Sequence, residues 1–403
     1  MNKDNEQLSA DLSLHLAKDE PLRGNRLYNT IINAIGNDIC RVETILNKKV
    51  LVVRSNGKNV IILAKAVTYL GNPHPVFKKR VQLANWYKEF ASTIDLQHMD
   101  YEISLLGVYH YQGNIVFVHL DESTYLRKKM HNSSAHVYVN DLYQAMRYGV
   151  FKKTDAFNNK VAAIRCNKIR DYIIGNESND VNLFDLFRRF NNGFTFGEWL
   201  YALDIIREMH QGAWEKWQET EWAGWFLEYK FNKFTLDNNI TSKMRYVSQK
   251  RAGEWDFDIR FDDDDFYGDL KASDISRGKA PGNDKSNLTE CICQHDKFWY
   301  VIYEHETIKD ADRNGQAAAE RVRYIKSVDS SFNKPETSYK NRMKHSVKFV
   351  KMYIIELNRI NYREVLSNFN QGHQPGGNPR KQKFMINKRN IENFIVFRYN
   401  YIQ

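Results

Sequence analysis

Between Gly253 and Ser273 the chain sets out side chains whose types and spacing could do chemistry on a phosphate ester. The stretch Gly253-Glu254-Trp255-Asp256-Phe257-Asp258-Ile259 and the stretch Tyr267-Gly268-Asp269-Leu270-Lys271-Ala272-Ser273 flank four consecutive aspartates, Asp262 to Asp265. Both read as β-strands, and the aspartates between them as an exposed turn, because like charges repel and seek water. Side chains alternate along a strand. Trp255, Phe257, Ile259 and Phe261 therefore share one face of the first strand, and Glu254, Asp256, Asp258 and Arg260 the other. On the second strand Asp269 and Lys271 share a face, with Leu270 opposite. Such a hairpin has an apolar side for a core and a side bearing several carboxylates and one lysine. Carboxylates are hard oxygen ligands suited to Mg²⁺, which keeps several of its waters. A bound cation of that kind lowers the pKa of water and offsets charge at phosphorus. A lysine beside it can orient or deprotonate the nucleophile, or touch the phosphate.

This arrangement resembles the PD-(D/E)XK nuclease superfamily, which includes most type II restriction endonucleases. Asp269-Leu270-Lys271 matches the family's acid-x-Lys element. The family's first aspartate falls on Asp256 or Asp258, thirteen or eleven residues before Asp269. Asp256 is favoured because it opens the strand after a Gly-containing turn, whereas a symmetric hairpin would bring Asp258 nearer Asp269. The proline that often precedes that aspartate is absent, and Trp255 stands in its place. The resemblance implies catalytic Asp256, Asp269 and Lys271, with Mg²⁺ held by Asp256 or Asp258, Asp269 and the Leu270 carbonyl. In that family a helix ahead of the catalytic strands often sends one carboxylate toward the metal. Glu228, about thirty residues upstream of Asp256, matches that position, with Glu219 and Glu221 as competitors.

Composition points toward a nucleic-acid partner. The 403 residues carry a formal charge of +10 and a pI of about 9.1. Between 341 and 403 there are 12 Lys and Arg against 3 Asp and Glu, so nearly all of the surplus lies in the last sixth of the chain. Such cations supply the sequence-independent part of nucleic-acid affinity by displacing counterions. Two loops concentrate them. One follows Lys271 and carries Arg277 and Lys279; the other, 371–383, carries Arg380, Lys381 and Lys383. All five are candidate DNA contacts. The four cysteines, Cys40, Cys166, Cys291 and Cys293, are too scattered for a disulfide framework and read as reduced. No apolar run approaches a membrane span, and no apolar h-region opens the chain. A soluble, cytoplasmic, prokaryotic protein is the expectation. Neither P-loop, dinucleotide fingerprint nor nucleophile elbow occurs.

The first half alternates hairpin and helix signals. Hairpins are expected at 49–64, around Asn56-Gly57-Lys58, and at 102–119, around Tyr111-Gln112-Gly113; helices at 27–35, 79–93 and 137–149; and a strand at 161–165. The polar stretch 175–180 marks a boundary. Beyond it, helices are expected at 181–190, 196–210, 214–234, 314–327 and 361–369, and strands at 298–305, 347–356 and 395–399. The segment 276–285 is expected to be a flexible loop.

The sequence thus predicts a mixed α/β fold. The resemblance implies a restriction-endonuclease-like core of a central mixed sheet flanked by helices, with an additional N-terminal α+β domain expected. The expected division is 1–180 (candidate DNA recognition), 181–340 (catalytic) and 341–403 (a basic extension packed on the catalytic domain). The resemblance implies a Mg²⁺-dependent, site-specific endonuclease of double-stranded DNA, a type II restriction enzyme leaving 5′-phosphate and 3′-hydroxyl ends. It is expected to act as a homodimer on palindromes, alongside a cognate DNA methyltransferase. The alternatives are another nuclease of the superfamily, serving repair, junction resolution or defence, and a noncatalytic DNA-binding protein with a solvated acidic hairpin.

Overall fold

Runs of β-branched and aromatic residues favour pleated, half-buried surfaces, and here they build a mixed sheet in each half of the chain. The computed structural model describes residues 4–97, 99–126, 134–155, 159–176, 183–247, 254–332, 343–369, 381–389 and 391–400. The chain divides into two units, 1–180 and 181–403. No helix among the described residues is long and apolar enough to cross a membrane. The four cysteines are unpaired, and burial pushes the Cys40 and Cys291 thiols up to about 12.

The first unit centres on a nine-stranded sheet. Its middle is a parallel pair, Lys58–Tyr69 beside Glu102–Tyr111, and antiparallel hairpin partners extend it on both sides. Asn56 and Gly57, both at positive φ, make the expected turn between Lys48–Ser55 and Lys58–Tyr69. The helix Gly24–Ile35 buries Leu27, Ile31 and Ile35 against this sheet at a spacing of one helical turn. The strand 78–82 carries Lys79, fully buried and held by Asp19 at 3.2 Å. The expected helix 79–93 is therefore a strand followed by a helix, Trp86–Leu96.

In the second unit the strands are β1 (Leu200–Tyr201), β2 (Arg245–Tyr246), β3 (Ile259–Phe261), β4 (Phe266–Asp274), β5 (Lys279–Asp284), β6 (Phe298–Lys309), β7 (Lys344–Leu357), β8 (Leu366–Phe369), β9 (Lys383–Asn387) and β10 (Ile395–Asn400). Its longer helices are α1 (Leu183–Gly193), α2 (Ala202–Gln211), α3 (Trp222–Asp237), α4 (Lys285–His295) and α5 (Gln316–Val328). The main sheet runs β1-β7-β6-β4-β3-β2, with β10 also on β7. Among the described residues its one parallel pair is β4 and β6; the rest are antiparallel. A small antiparallel sheet, β5-β9-β8, accompanies it.

On one side of the main sheet Phe187 of α1 meets Phe261 and Trp299, and Phe231 of α3 stacks on Phe187. On the other side Phe257, Tyr267, Phe298, Tyr300 and Ile302 pack with Leu288 and Ile292 of α4 and with Phe384 and Ile386 of β9. Lys344–Leu357 is a central strand of this sheet, so the described residues of 341–403 are woven into the second unit rather than laid upon it as an extension.

Several local expectations are corrected. The loop expected at 276–285 contains β5, because Ala280 is buried and its strand pairs with β9. The helix expected at 361–369 is a single turn, Tyr362–Val365, that gives way to β8. Helix α4, unassigned from the sequence, starts where the Asp284 carboxylate accepts from the Ser286 and Asn287 N–H groups. It packs through Leu288, Cys291 and Ile292. The strand expected from 253 to 259 begins only at Ile259; Gly253 lies outside the described residues, and 254–258 are irregular.

Candidate catalytic carboxylate–lysine site

The hairpin β3–β4 turns through the four aspartates as expected. Asp262 and Asp265 are tied down: Arg245 bonds Asp262 at 2.8 Å and also pairs with Glu254, and Arg260 pairs with Asp265. These bonds explain how so much like charge is tolerated in one turn.

The hairpin pairs Ile259 with Gly268, Arg260 with Tyr267 and Phe261 with Phe266. Gly268 is required there, because a Cβ would lie 2.9 Å from the Trp299 carbonyl oxygen on β6. Among the described residues no strand pairs with β4 on the β3 side beyond Gly268. The freed edge is taken by a side chain. Asp258 Oδ2 accepts the Leu270 N–H at 2.8 Å, and Asp269 Oδ1 accepts the Asp258 N–H at 3.3 Å. Lys271 Nζ pairs with Asp269 Oδ2. Asp269 is 2% exposed, and the Lys271 side chain 18%. Asp258, Asp269 and Lys271 are thus brought together.

Glu228 joins them from α3. Its carboxyl accepts from the Tyr246 hydroxyl at 2.5 Å. Burial, with a smaller push from Asp269, lifts its pKa to about 7. Burial also raises the Asp258 carboxyl well above the usual range, aided by the neighbouring Asp269 and Glu228. Burial disfavours the Lys271 cation, but Asp269 and Asp258 outweigh it and hold that pKa above the ordinary lysine value. Three carboxyl groups thus share one ammonium in a largely dry site.

Asp256 is not part of this group: it is exposed, in a bend before β3. The hairpin register sets Asp258, not Asp256, beside Asp269, which reverses the preference drawn from the sequence. Glu219 and Glu221 are exposed in the segment before α3. Tyr246 was not anticipated, since a two-residue strand leaves no periodic signal. Of the candidate DNA contacts, Arg277 and Lys279 are exposed at one end of β5, while Lys381 and Lys383 are exposed near its other end, where Asp284 pairs with Lys383. Arg380 lies outside the described residues.

Among the described residues no three His, Cys, Asp or Glu side chains converge as a ready cage for a metal ion. Mg²⁺ does not need one, since it binds through one or two carboxylates and keeps its waters. The donor set suits such an ion: Asp258 and Asp269 in hydrogen-bonded proximity, the adjacent Leu270 backbone, and negative charge in excess of the one lysine. The residues present therefore fit the cation that the acid-x-Lys resemblance implies.

Residues 58–173, in the first unit, match the family model described as Methylase-associated X1, which sets the chain in a restriction-modification context. No curated protein matches the chain, and no solved structure matches it.

Proposed function

We propose that this protein is a Mg²⁺-dependent endonuclease that hydrolyses phosphodiester bonds of double-stranded DNA within a restriction-modification system. The observation that carries this reading is the reciprocal hydrogen bonding of Asp258 and Asp269 with Lys271 paired to Asp269. A solvated acidic strand face would not bury Asp269 and bond it reciprocally to a half-buried Asp258. The restriction-modification context of residues 58–173 supports the same reading independently of the site.

In this mechanism Asp258, Asp269 and the Leu270 carbonyl would hold the cation, and Glu228, steadied by Tyr246, would complete its acidic surroundings. Mg²⁺, when bound, supplies Lewis-acid stabilisation of the negative charge that builds on the phosphate during in-line attack. Lys271 is a donor rather than a base, because its neighbours hold its proton. It orients the attacking water and hydrogen-bonds a phosphate oxygen as charge develops there. Asp258 fixes the Leu270 backbone, so the two first-strand and second-strand carboxylates cannot drift apart. The exposed cations Arg277, Lys279, Lys381 and Lys383 would meet the DNA backbone, and the first unit would contribute base reading. Action as a homodimer on a two-fold symmetric sequence, with a cognate methyltransferase protecting the host, completes the proposal.

Incubation of the purified protein with unmethylated DNA, with Mg²⁺ or with EDTA, tests it. Discrete fragments only with Mg²⁺ are expected. Intact DNA under both conditions would contradict it.

A further inference from the structure

Beyond Lys271, strand β4 presents a second polar group on the same face. Asp269, Lys271 and Ser273 alternate to one side. Ser273 is 3% exposed, and its Oγ has no hydrogen-bond partner among the described residues. A buried hydroxyl left unpaired costs free energy, so such a group points to something that binds it. In the parallel register Ser273 lies opposite Glu304 of β6. Glu304 is nearly buried, yet three donors converge on it: Lys388 Nζ at 2.7 Å, Lys351 Nζ at 2.8 Å and the Tyr353 hydroxyl at 3.1 Å. Although burial opposes its charge, the bonds from Lys351 and Lys388 hold its carboxyl below the ordinary range.

Two ammonium groups around one carboxylate leave a net positive charge. An ammonium carries three N–H donors. Lys388 uses one on Glu304 and one on the Asp274 carbonyl at 2.8 Å, which among the described residues leaves one N–H. Its side chain is 7% exposed, and that of Lys351 34%, so the charge is sheltered but reachable at its rim. The exposed Arg277 stands close by in sequence, and the Lys388 N–H bonds the Gly278 carbonyl at 3.0 Å, which brings the 274–278 turn and the 387–389 turn together. Two residues along a strand advance about 6.6 Å, comparable to the separation of successive phosphates along a nucleic-acid strand.

We propose that Ser273, Lys388 and Lys351 form a second phosphate seat, which takes the phosphodiester next to the one held at Lys271. Glu304 organises the two lysines rather than repelling the ligand. This rests on the nuclease reading for the identity of the first phosphate, but the seat itself is a binding site that can be tested without cleavage. It gives the hairpin two adjacent grips on one strand and so fixes the scissile bond in line.

The test is binding of a labelled DNA duplex by the full chain in EDTA, over a range of salt concentrations, with a parallel cleavage assay in Mg²⁺. Lys388→Gln should weaken binding and reduce the slope of log affinity against log salt by about 0.9, and Lys388→Arg should restore much of both. Ser273→Ala should weaken binding about fivefold while leaving the melting temperature unchanged or raised, because it removes an unpaired buried hydroxyl. A merely structural serine would instead lower the melting temperature and leave affinity untouched, which overturns the proposal. Unchanged affinity and slope in Lys388→Gln, with wild-type protein that cleaves, would remove the seat and keep the nuclease. A Lys388-dependent slope in wild-type protein that never cleaves would keep the seat and remove the nuclease. Failure of wild-type protein to bind DNA at all would overturn both.

Discussion

Asp258 and Asp269 hold each other in place through the backbone. Asp269 Oδ1 accepts from the Asp258 N–H at 3.3 Å, and Asp258 Oδ2 accepts from Leu270 N–H, the residue after Asp269, at 2.8 Å. The bonds form where β3 stops pairing with β4, so a side chain closes the sheet edge that a strand would otherwise close. The buried Asp269 carboxylate and the half-buried Asp258 are thereby fixed beside each other and beside Lys271.

The choice between the two first-strand aspartates is directly testable. Asp258→Asn should lower DNA cleavage by about 10²- to 10⁴-fold, the range for loss of a positioned catalytic group. Asp256→Asn, an exposed change, should leave cleavage and stability within about 0.5 kcal/mol of wild type. Initial rates on plasmid DNA check both; a dead Asp256→Asn with an active Asp258→Asn would reverse the assignment.

Lys271→Ala should abolish cleavage on a similar scale, about 10²- to 10⁴-fold, and keep DNA binding, since in the proposed function the exposed cations would carry most of the backbone contact. Gel shift and cleavage assays on the same preparation read the two separately. Parallel loss of both would assign Lys271 to affinity alone.

Glu228 makes the metal-free protein sensitive to pH. Its carboxyl titrates near 7 in the fold against an ordinary 4.5, chiefly because it is buried. The folded state therefore takes up a proton that the unfolded state releases, so this contribution is full below pH 4.5 and is lost as pH rises through 7. Asp258, also raised, acts in the same direction. In EDTA, unfolding free energy should fall over this interval, by at most about 3 kcal/mol from Glu228. Glu228→Gln should flatten the profile, as should Mg²⁺, which favours the ionised carboxylates. Urea denaturation across pH measures it; an identical slope in Glu228→Gln would show that Glu228 is not the group responsible.

Gly268→Ala should destabilise the second unit by about 1–3 kcal/mol. The added methyl would meet the Trp299 carbonyl oxygen at 2.9 Å and the Phe261 ring at 3.1 Å. Denaturant midpoints with and without Mg²⁺ would show the loss, and a neutral substitution would mean that β4 and β6 can move apart.

Much of the site was legible because it is local. The turn of four aspartates, the acid-x-Lys strand and the aromatic strands at 298 and 347 all carry period-two or turn signals. The mixed α/β class follows from the same pattern. The preference for Asp256 rested on its opening the strand, but 254–258 are irregular and the strand starts only at Ile259. Strand β5 was missed because Pro281 and Gly282 read as a loop; Gly282 is needed there, since a Cβ would lie 2.8 Å from the Phe384 carbonyl oxygen of β9. Tyr246 and the Glu304–Lys351–Lys388 group are assembled from distant parts of the chain, and no short window encodes them.

The measurement that bears most directly on the central claim is cleavage of unmethylated DNA by the purified protein, with Mg²⁺ against EDTA, alongside Asp269→Asn. The account predicts discrete fragments with Mg²⁺ from the wild-type protein alone, with 5′-phosphate ends. Intact DNA throughout, or fragments that Asp269→Asn produces equally well, would contradict it.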